Sequence, residues 1–317
     1  MSWSRRVARR LAQACVVVCS VLAAGCATTT NPSAFRQGAE APPGQDAKLT
    51  AYNVAFGAVV GGLGAVLNGK DGLPLRRFAR GAGWGAVGGS VAYTGKWLTG
   101  EIGATETLAY GLPARLVHDA GLSVIENAAH NRPPFARLAS HLGFVRVDVY
   151  PTSGTVQARL LPLSTLAFGL MLLNTDHEWA VARSLVYGTP VFLGTGRKRI
   201  PIVGNSFRGY AFLSTVYLDR RSDHFYPLAG HELIHVMQHH EFVRAEAIFR
   251  APLDRRLRRS EAYRTLSRWV YLDSPALQWL AYFPLEGGAI SAPCKFDNWL
   301  EREAEAFGYR RPVETCR

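Results

Sequence analysis

Between residues 49 and 100, glycine recurs at intervals that suit two helices packed backbone to backbone. Gly57 and Gly61 stand four apart, as do Gly81, Gly85 and Gly89, so each set lies along one helical face. A face without side chains lets two main chains approach more closely than Leu or Ile would permit. The polar link Asn68-Gly69-Lys70-Asp71-Gly72 divides the stretch into two arms, and the pattern predicts a helical hairpin. Each arm is about as long as a bilayer core requires. Asn53, Lys96 and the modest apolarity of Ala and Gly oppose full insertion, so the spacing leaves both a membrane-embedded and a soluble hairpin open.

The second constraint is His231-Glu232-Leu233-Ile234-His235. On a helix, residues four apart share a face, so His231 and His235 converge on one point suited to a tetrahedral cation. Glu232, one step round, is placed to hold a water at that cation and take its proton. Leu228, Leu233, Ile234, Val236 and Met237 give the segment the apolar rhythm of a core helix. The bland counterpart is a buried helix whose histidines are merely hydrogen-bonded.

A hydrolytic zinc (Zn2+) site needs a third protein ligand and one open position. The run Asn298 to Phe307 consists largely of strong helix formers. On it, Glu301 and Glu305 lie four apart beside Ala304, so Glu301 can reach the metal while Glu305 accepts the outer N–H of a ligating histidine. Glu303 and Glu261 are competing third ligands. The two motifs together resemble the gluzincin metallopeptidases, whose later helix reads Glu-x-x-Ala/Ser-Asp. The likeness is to the membrane-associated branch that includes the CAAX prenyl proteases and their periplasmic lipoprotein relatives. It covers only the two motif helices, and Glu305 stands where the family has Asp. It implies His231, His235 and Glu301 as ligands, Glu232 as the base, and an endopeptidase in preference to an exopeptidase. His224, Tyr282 and Tyr309 are candidates for stabilising an oxyanion.

The first 25 residues carry Arg5, Arg6, Arg9 and Arg10, then a charge-free apolar run from Leu11 to Ala24, the pattern of a bacterial export signal. Leu22-Ala23-Ala24-Gly25-Cys26 resembles a lipobox, which implies lipidation of Cys26 and, with Ala27 following, the periplasmic face of the outer membrane. Residues 26–48 read as a flexible tether. Cys294 and Cys316 are the pair left once Cys15, Cys19 and Cys26 are assigned, and an oxidising envelope would join them, restricting the unfolded chain by about 3 kcal/mol. The glycine pattern likewise resembles the glycine-zipper segments of some bacterial envelope lipoproteins.

Without the four signal arginines the formal net charge falls from +12 to +8, and part of that excess gathers at Arg250, Arg255, Arg256, Arg258 and Arg259. Such a patch suits lipid phosphates or acidic wall polymers as well as an ordinary solvated face. No nucleic-acid module is recognisable. Residues 107–142 read as helical up to a break at Pro133-Pro134, with His118 and His130 as core or cap residues. Phe144–Tyr150 and Thr155–Leu161 alternate across a turn as a hairpin, and further strands are expected at Val186–Phe192, Ile200–Val203 and Tyr210–Leu218. The last of these is positioned in order to pair with an extended substrate.

The expected molecule is therefore an α+β, zincin-like domain over residues 101–317 with a small, mostly antiparallel sheet. A lipoprotein signal (1–25), a tether and a glycine-rich hairpin (49–100) precede it. Its expected partners are a polypeptide substrate and, through the anchor, a membrane. The alternative is a non-enzymatic envelope lipoprotein whose metal site is structural or vestigial, with His239 or His240 closing the cage.

Overall fold

The computed structural model describes residues 45–70, 72–174, 176–196, 198–199, 206–272 and 298–309. The export signal, Cys26, nearly all of the tether, Ile200–Val203, Tyr282 and the Cys294–Cys316 pair lie outside the described residues.

Two long helices, α1 (Gln45–Asn68) and α2 (Pro74–Ala104), form the hairpin, and α1 starts inside the stretch expected as tether. Their contact depends on the missing side chains: a Cβ on Gly57 would strike the carbonyl oxygen of Gly85, and one on Gly81 that of Gly61. A third helix, α3 (Gly111–Ala129), lies in the same bundle and uses the same device, since a Cβ on Gly121 would strike the backbone of Ala92. Ala47–Asn68 is long and apolar enough to cross a membrane, by length and composition. Its Asn53 is buried, donating from Nδ2 to the Leu49 carbonyl at 2.9 Å and to Glu303 Oε1 at 3.0 Å. His130 ends α3 as its C-cap, and His118 is fully buried within it.

After Pro133-Pro134 the chain turns to strands. β1 (Leu138–Leu142), β2 (Val145–Tyr150) and β3 (Thr155–Leu160) form an antiparallel sheet, the last two joined by the Pro151–Gly154 turn. Then come α4 (Pro162–Leu173), β4 (His177–Trp179), α5 (Val181–Tyr187) and β5 (Val191–Gly194). The first two residues of the strand expected at Val186–Phe192 are thus the end of a helix, and only its last two are strand. Gly188, at φ +78°, caps α5 in the left-handed region, and only then does the chain extend.

β6 (Lys198–Arg199) and β7 (Ser206–Phe207) form a short ladder, followed by β8 (Gly209–Phe212) and β9 (Thr215–Asp219). These last two occupy what reads in the sequence as one strand, Tyr210–Leu218. Leu213 adopts φ +55°, a turn conformation that β-branched and bulky residues rarely take, so no sequence signal marks it. The second sheet has the order β4-β5-β9-β8, with β5 and β9 parallel and the outer pairs antiparallel. β9 is therefore interior and β8 is an edge.

Helix α6 (Phe225–Ala245) runs between this sheet and the hairpin bundle and is buried at every position from Leu228 to Glu241. Leu233, Ile234, Val236 and Met237 are wholly inaccessible, each stabilising the fold by roughly 1.5–3 kcal/mol. Short helices α7 (Arg250–Leu257) and α8 (Glu261–Leu266) follow. The final described helix, α9 (Trp299–Gly308), packs on α6 through Ala304, Ala306 and Phe307. Asn298 caps it, accepting from the Leu300 N–H at 2.7 Å, a contact worth about 1 kcal/mol. The chain is an α+β protein in which helices predominate and the sheets are small.

Candidate metal centre

Helices α6 and α9 meet at unusually short range because α9 ends in Gly308. A Cβ there would strike the backbone nitrogen of His231, so any other residue would push the helices apart. That contact brings the acidic face of α9 over the two histidines. Nε2 of His231 lies 3.1 Å from Nε2 of His235, and the Glu301 carboxylate approaches both, at 3.5 Å in each case. Four bonds of 2.0–2.1 Å in a tetrahedron give ligand–ligand edges of about 3.3–3.4 Å. The three observed edges bracket that value, and all three side chains lie within one metal-sized group.

Hydrogen bonding around the triad sets which ring nitrogens carry protons. Gln238 donates from Nε2 to the Leu300 carbonyl at 2.9 Å and to Glu303 Oε2 at 2.8 Å. Both partners are acceptors, so the amide has one orientation, and its Oε1 faces Nδ1 of His235 at 2.9 Å. His235 must then be protonated on Nδ1, leaving the Nε2 lone pair aimed at the centre. At His231 the Glu305 carboxylate lies 3.5 Å from Nδ1 and favours the same tautomer. The longer arm of Glu thus comes within ion-pair distance of the outer nitrogen without closing a hydrogen bond to it.

The result is three acceptors facing one another with no donor among them, a repulsive arrangement unless a cation joins it. Without a metal a proton serves. Burial disfavours the His231 imidazolium, but the carboxylates of Glu301, Glu305 and Glu232 outweigh burial and push its pKa up to about 10. The residues present fit zinc in number, donor type and spacing.

The other candidate ligands lie elsewhere. Glu303 is fully buried on the opposite side of α9, where both its oxygens accept from Lys96 Nζ, at 2.9 and 2.8 Å. Lys96 also pairs with Glu241 at 2.8 Å, and Glu241 with Nε2 of His118 at 3.2 Å. Burial opposes the Lys96 charge, yet Glu241 and Glu303 outweigh it and raise its pKa. Glu261 is an exposed first-turn residue of α8, outside the triad. His240 faces away from the centre, with Nε2 on Ser214 Oγ at 2.9 Å and Nδ1 accepting from Arg115 at 3.2 Å. Among the described residues neither His239 nor His240 joins the metal-sized group.

Glu232 is buried and points toward the edge strand: a Cβ on Gly209, the first residue of β8, would come within 2.9 Å of its Oε1. Burial, then the charge of Glu232, pushes the nearby Tyr210 hydroxyl up to about 12. Tyr309 packs edge-on against His231, ring centroids 5.9 Å apart, and His224 lies 6.5 Å from Tyr309. Of the oxyanion candidates, Tyr309 therefore adjoins His231, and His224 adjoins Tyr309 in turn. Lys96, Gln238, Gly209 and Gly308 were not singled out for this site in the sequence, although the Gly308 position one residue past a helical run is a recognisable C-terminal signal.

No protein-family model, curated protein or solved structure matches this chain.

Proposed function

We propose that the chain is a zinc-dependent peptide-bond hydrolase, an endopeptidase of gluzincin type, working in the bacterial cell envelope. The observation that carries the reading is the acceptor-only triad of His231, His235 and Glu301, with a buried carboxylate, Glu232, on the same helix. Zinc bound there would polarise the scissile carbonyl and bring the pKa of water toward neutrality. Glu232 takes the proton of the attacking water on its carboxylate and delivers it to the leaving amine. An extended substrate adds to the open side of β8, so that its main chain runs past Gly209 and Glu232. Gln238 and Glu305 hold the imidazoles in the ligating tautomer. A lipid on Cys26 would keep the domain at a membrane, where exported polypeptides are its substrates.

The test uses the mature protein purified from residue 26 onward. It should carry about one zinc per chain and cleave an unfolded protein such as casein. Glu232→Gln should retain the metal and lose activity by on the order of 10²–10⁴-fold. A folded protein that takes up no zinc, or a Glu232→Gln variant as active as its parent, defeats the proposal.

A further inference from the structure

The C-terminal end of α6 leads into a cleft with the opposite electrostatic character. It encloses about 660 Å³, within the usual range for a small-molecule site. Three segments that are distant in sequence turn arginines into it: Arg132 and Arg137 after α3, Arg159 from β3, and Arg250 at the start of α7. Arg255 and Arg258, from the run noted in the sequence, join them with Arg264 and Arg268. The cleft lies roughly 15–20 Å along the helix from His235, so it is separate from the metal centre.

Its two lining acids are already engaged. Glu126 bonds Arg137 at 2.6 Å and Arg146 at 2.8 Å, while Asp254 pairs with Arg250 at 3.0 Å. Among the described residues no carboxylate pairs with Arg132, Arg255, Arg258, Arg264 or Arg268. Arg159 pairs with Asp148 through a terminal nitrogen at 2.5 Å, while its buried Nε has no hydrogen-bond partner among the described residues. Burial, then the neighbouring charge of Arg137, lowers the Arg132 pKa, a sign of crowded like charge. An ordinary solvated face would spread such charges apart, whereas here they converge on one concavity.

The segment that supplies Arg264 and Arg268 carries exposed apolar residues as well. Trp269 is 73% exposed and Leu266 46%, both beside Arg264 and Arg268. The hairpin turn is tied to the same end of the molecule, because Asn68 donates to the Ala247 carbonyl at 2.7 Å and accepts from the Ala251 N–H at 3.1 Å. Leu73 and Leu75, just past that turn, are 74% and 78% exposed. Arginine forks matched to oxyanions, with an exposed Trp and leucine on the same segment, are the chemistry of a phosphate group presented at an apolar boundary.

We infer that the cleft binds a ligand carrying two or more closely spaced phosphate charges, whether the headgroup of an anionic lipid or a soluble phosphate compound. This goes beyond the hydrolytic reading and does not rest on it. The experiment compares the mature protein with Arg255→Gln/Arg258→Gln/Arg268→Gln, whose three sites are exposed, and with a charge-matched control, Arg183→Gln/Arg220→Gln/Arg221→Gln, on the other side of the molecule. Inorganic pyrophosphate is titrated by calorimetry, and phosphatidylcholine vesicles with and without phosphatidic acid are used in sedimentation. Saturable pyrophosphate binding, weakened by about a hundredfold in the cleft variant and unchanged in the control, supports a soluble ligand. Recruitment to phosphatidic acid vesicles alone, lost only in the cleft variant, supports a lipid headgroup. Binding to neither probe, or equal weakening in both variants, overturns the inference.

Discussion

Helix α9 separates two buried sites built from similar side chains in opposite ways. On one side, Glu301 meets two imidazole nitrogens, at 3.5 Å each. On the other, Glu303, two residues away, meets Lys96, Asn53 and Gln238, every one a donor. Buried charge is tolerated when paired and hydrogen-bonded. The Lys96 side satisfies that condition from within the chain, and the triad side satisfies it only with something brought from outside. Gln238 belongs to both, touching Glu303 with one end and His235 with the other. The difference teaches that a carboxylate's role here is set by the donors around it and not by its place in a motif.

Four changes break or sharpen that contrast. Lys96→Met removes the cation of the self-sufficient side and strands two carboxylates in the core. It should cost about 3–5 kcal/mol in urea denaturation, with or without metal. Gln238→Leu cuts the link between the two sides and frees the His235 tautomer. Zinc affinity should fall by about 10–100-fold in a competitive chelator titration, with a much smaller effect on the metal-free fold.

Acid should distinguish the triad from the rest of the buried interior without mutation. Burial, with nearby arginines or Lys96, holds His118, His141 and His240 well below the usual 6.5. Their contribution to stability is full above that pH and is lost as pH falls toward their folded values, because the unfolded chain binds the extra protons. Thermal unfolding of metal-free protein should show stability declining below pH about 6.5, by on the order of 1 kcal/mol per pH unit for each histidine. His231 moves the other way. With its pKa at about 10, the proton at the triad stabilises metal-free protein fully below about 6.5 and is lost as pH rises through about 10. The smallest effect belongs to the exposed pair Arg220–Glu178, 3.1 Å apart in solvent. Arg220→Ala should change stability by less than about 1 kcal/mol, and a larger loss would mean that surface charge rivals the interior.

The hairpin was legible because glycine at four-residue intervals has few other uses, and the triad because two four-residue spacings each define a helical face. What the sequence hid was pairing over distance. Glu303 and Glu301 read alike on a helical wheel, and nothing near either announces that Lys96, some two hundred residues earlier, waits for one of them. The same limit applies to β8 and β9, where Leu213 turns the chain in a conformation its type disfavours. It applies as well to the arginine cleft, of which only the α7 run is visible as a cluster. Arg132, Arg137 and Arg159 arrive from elements whose packing no local pattern encodes.

Gly308 carries one further consequence. Where two main chains rest directly on each other, the gap above them has a fixed gauge that no rotamer change can widen. Ions that demand longer bonds, such as calcium at about 2.3–2.6 Å, would need the helices to separate, whereas small first-row cations would not. Discrimination by size would then reside in a hydrogen atom where any other residue carries carbon.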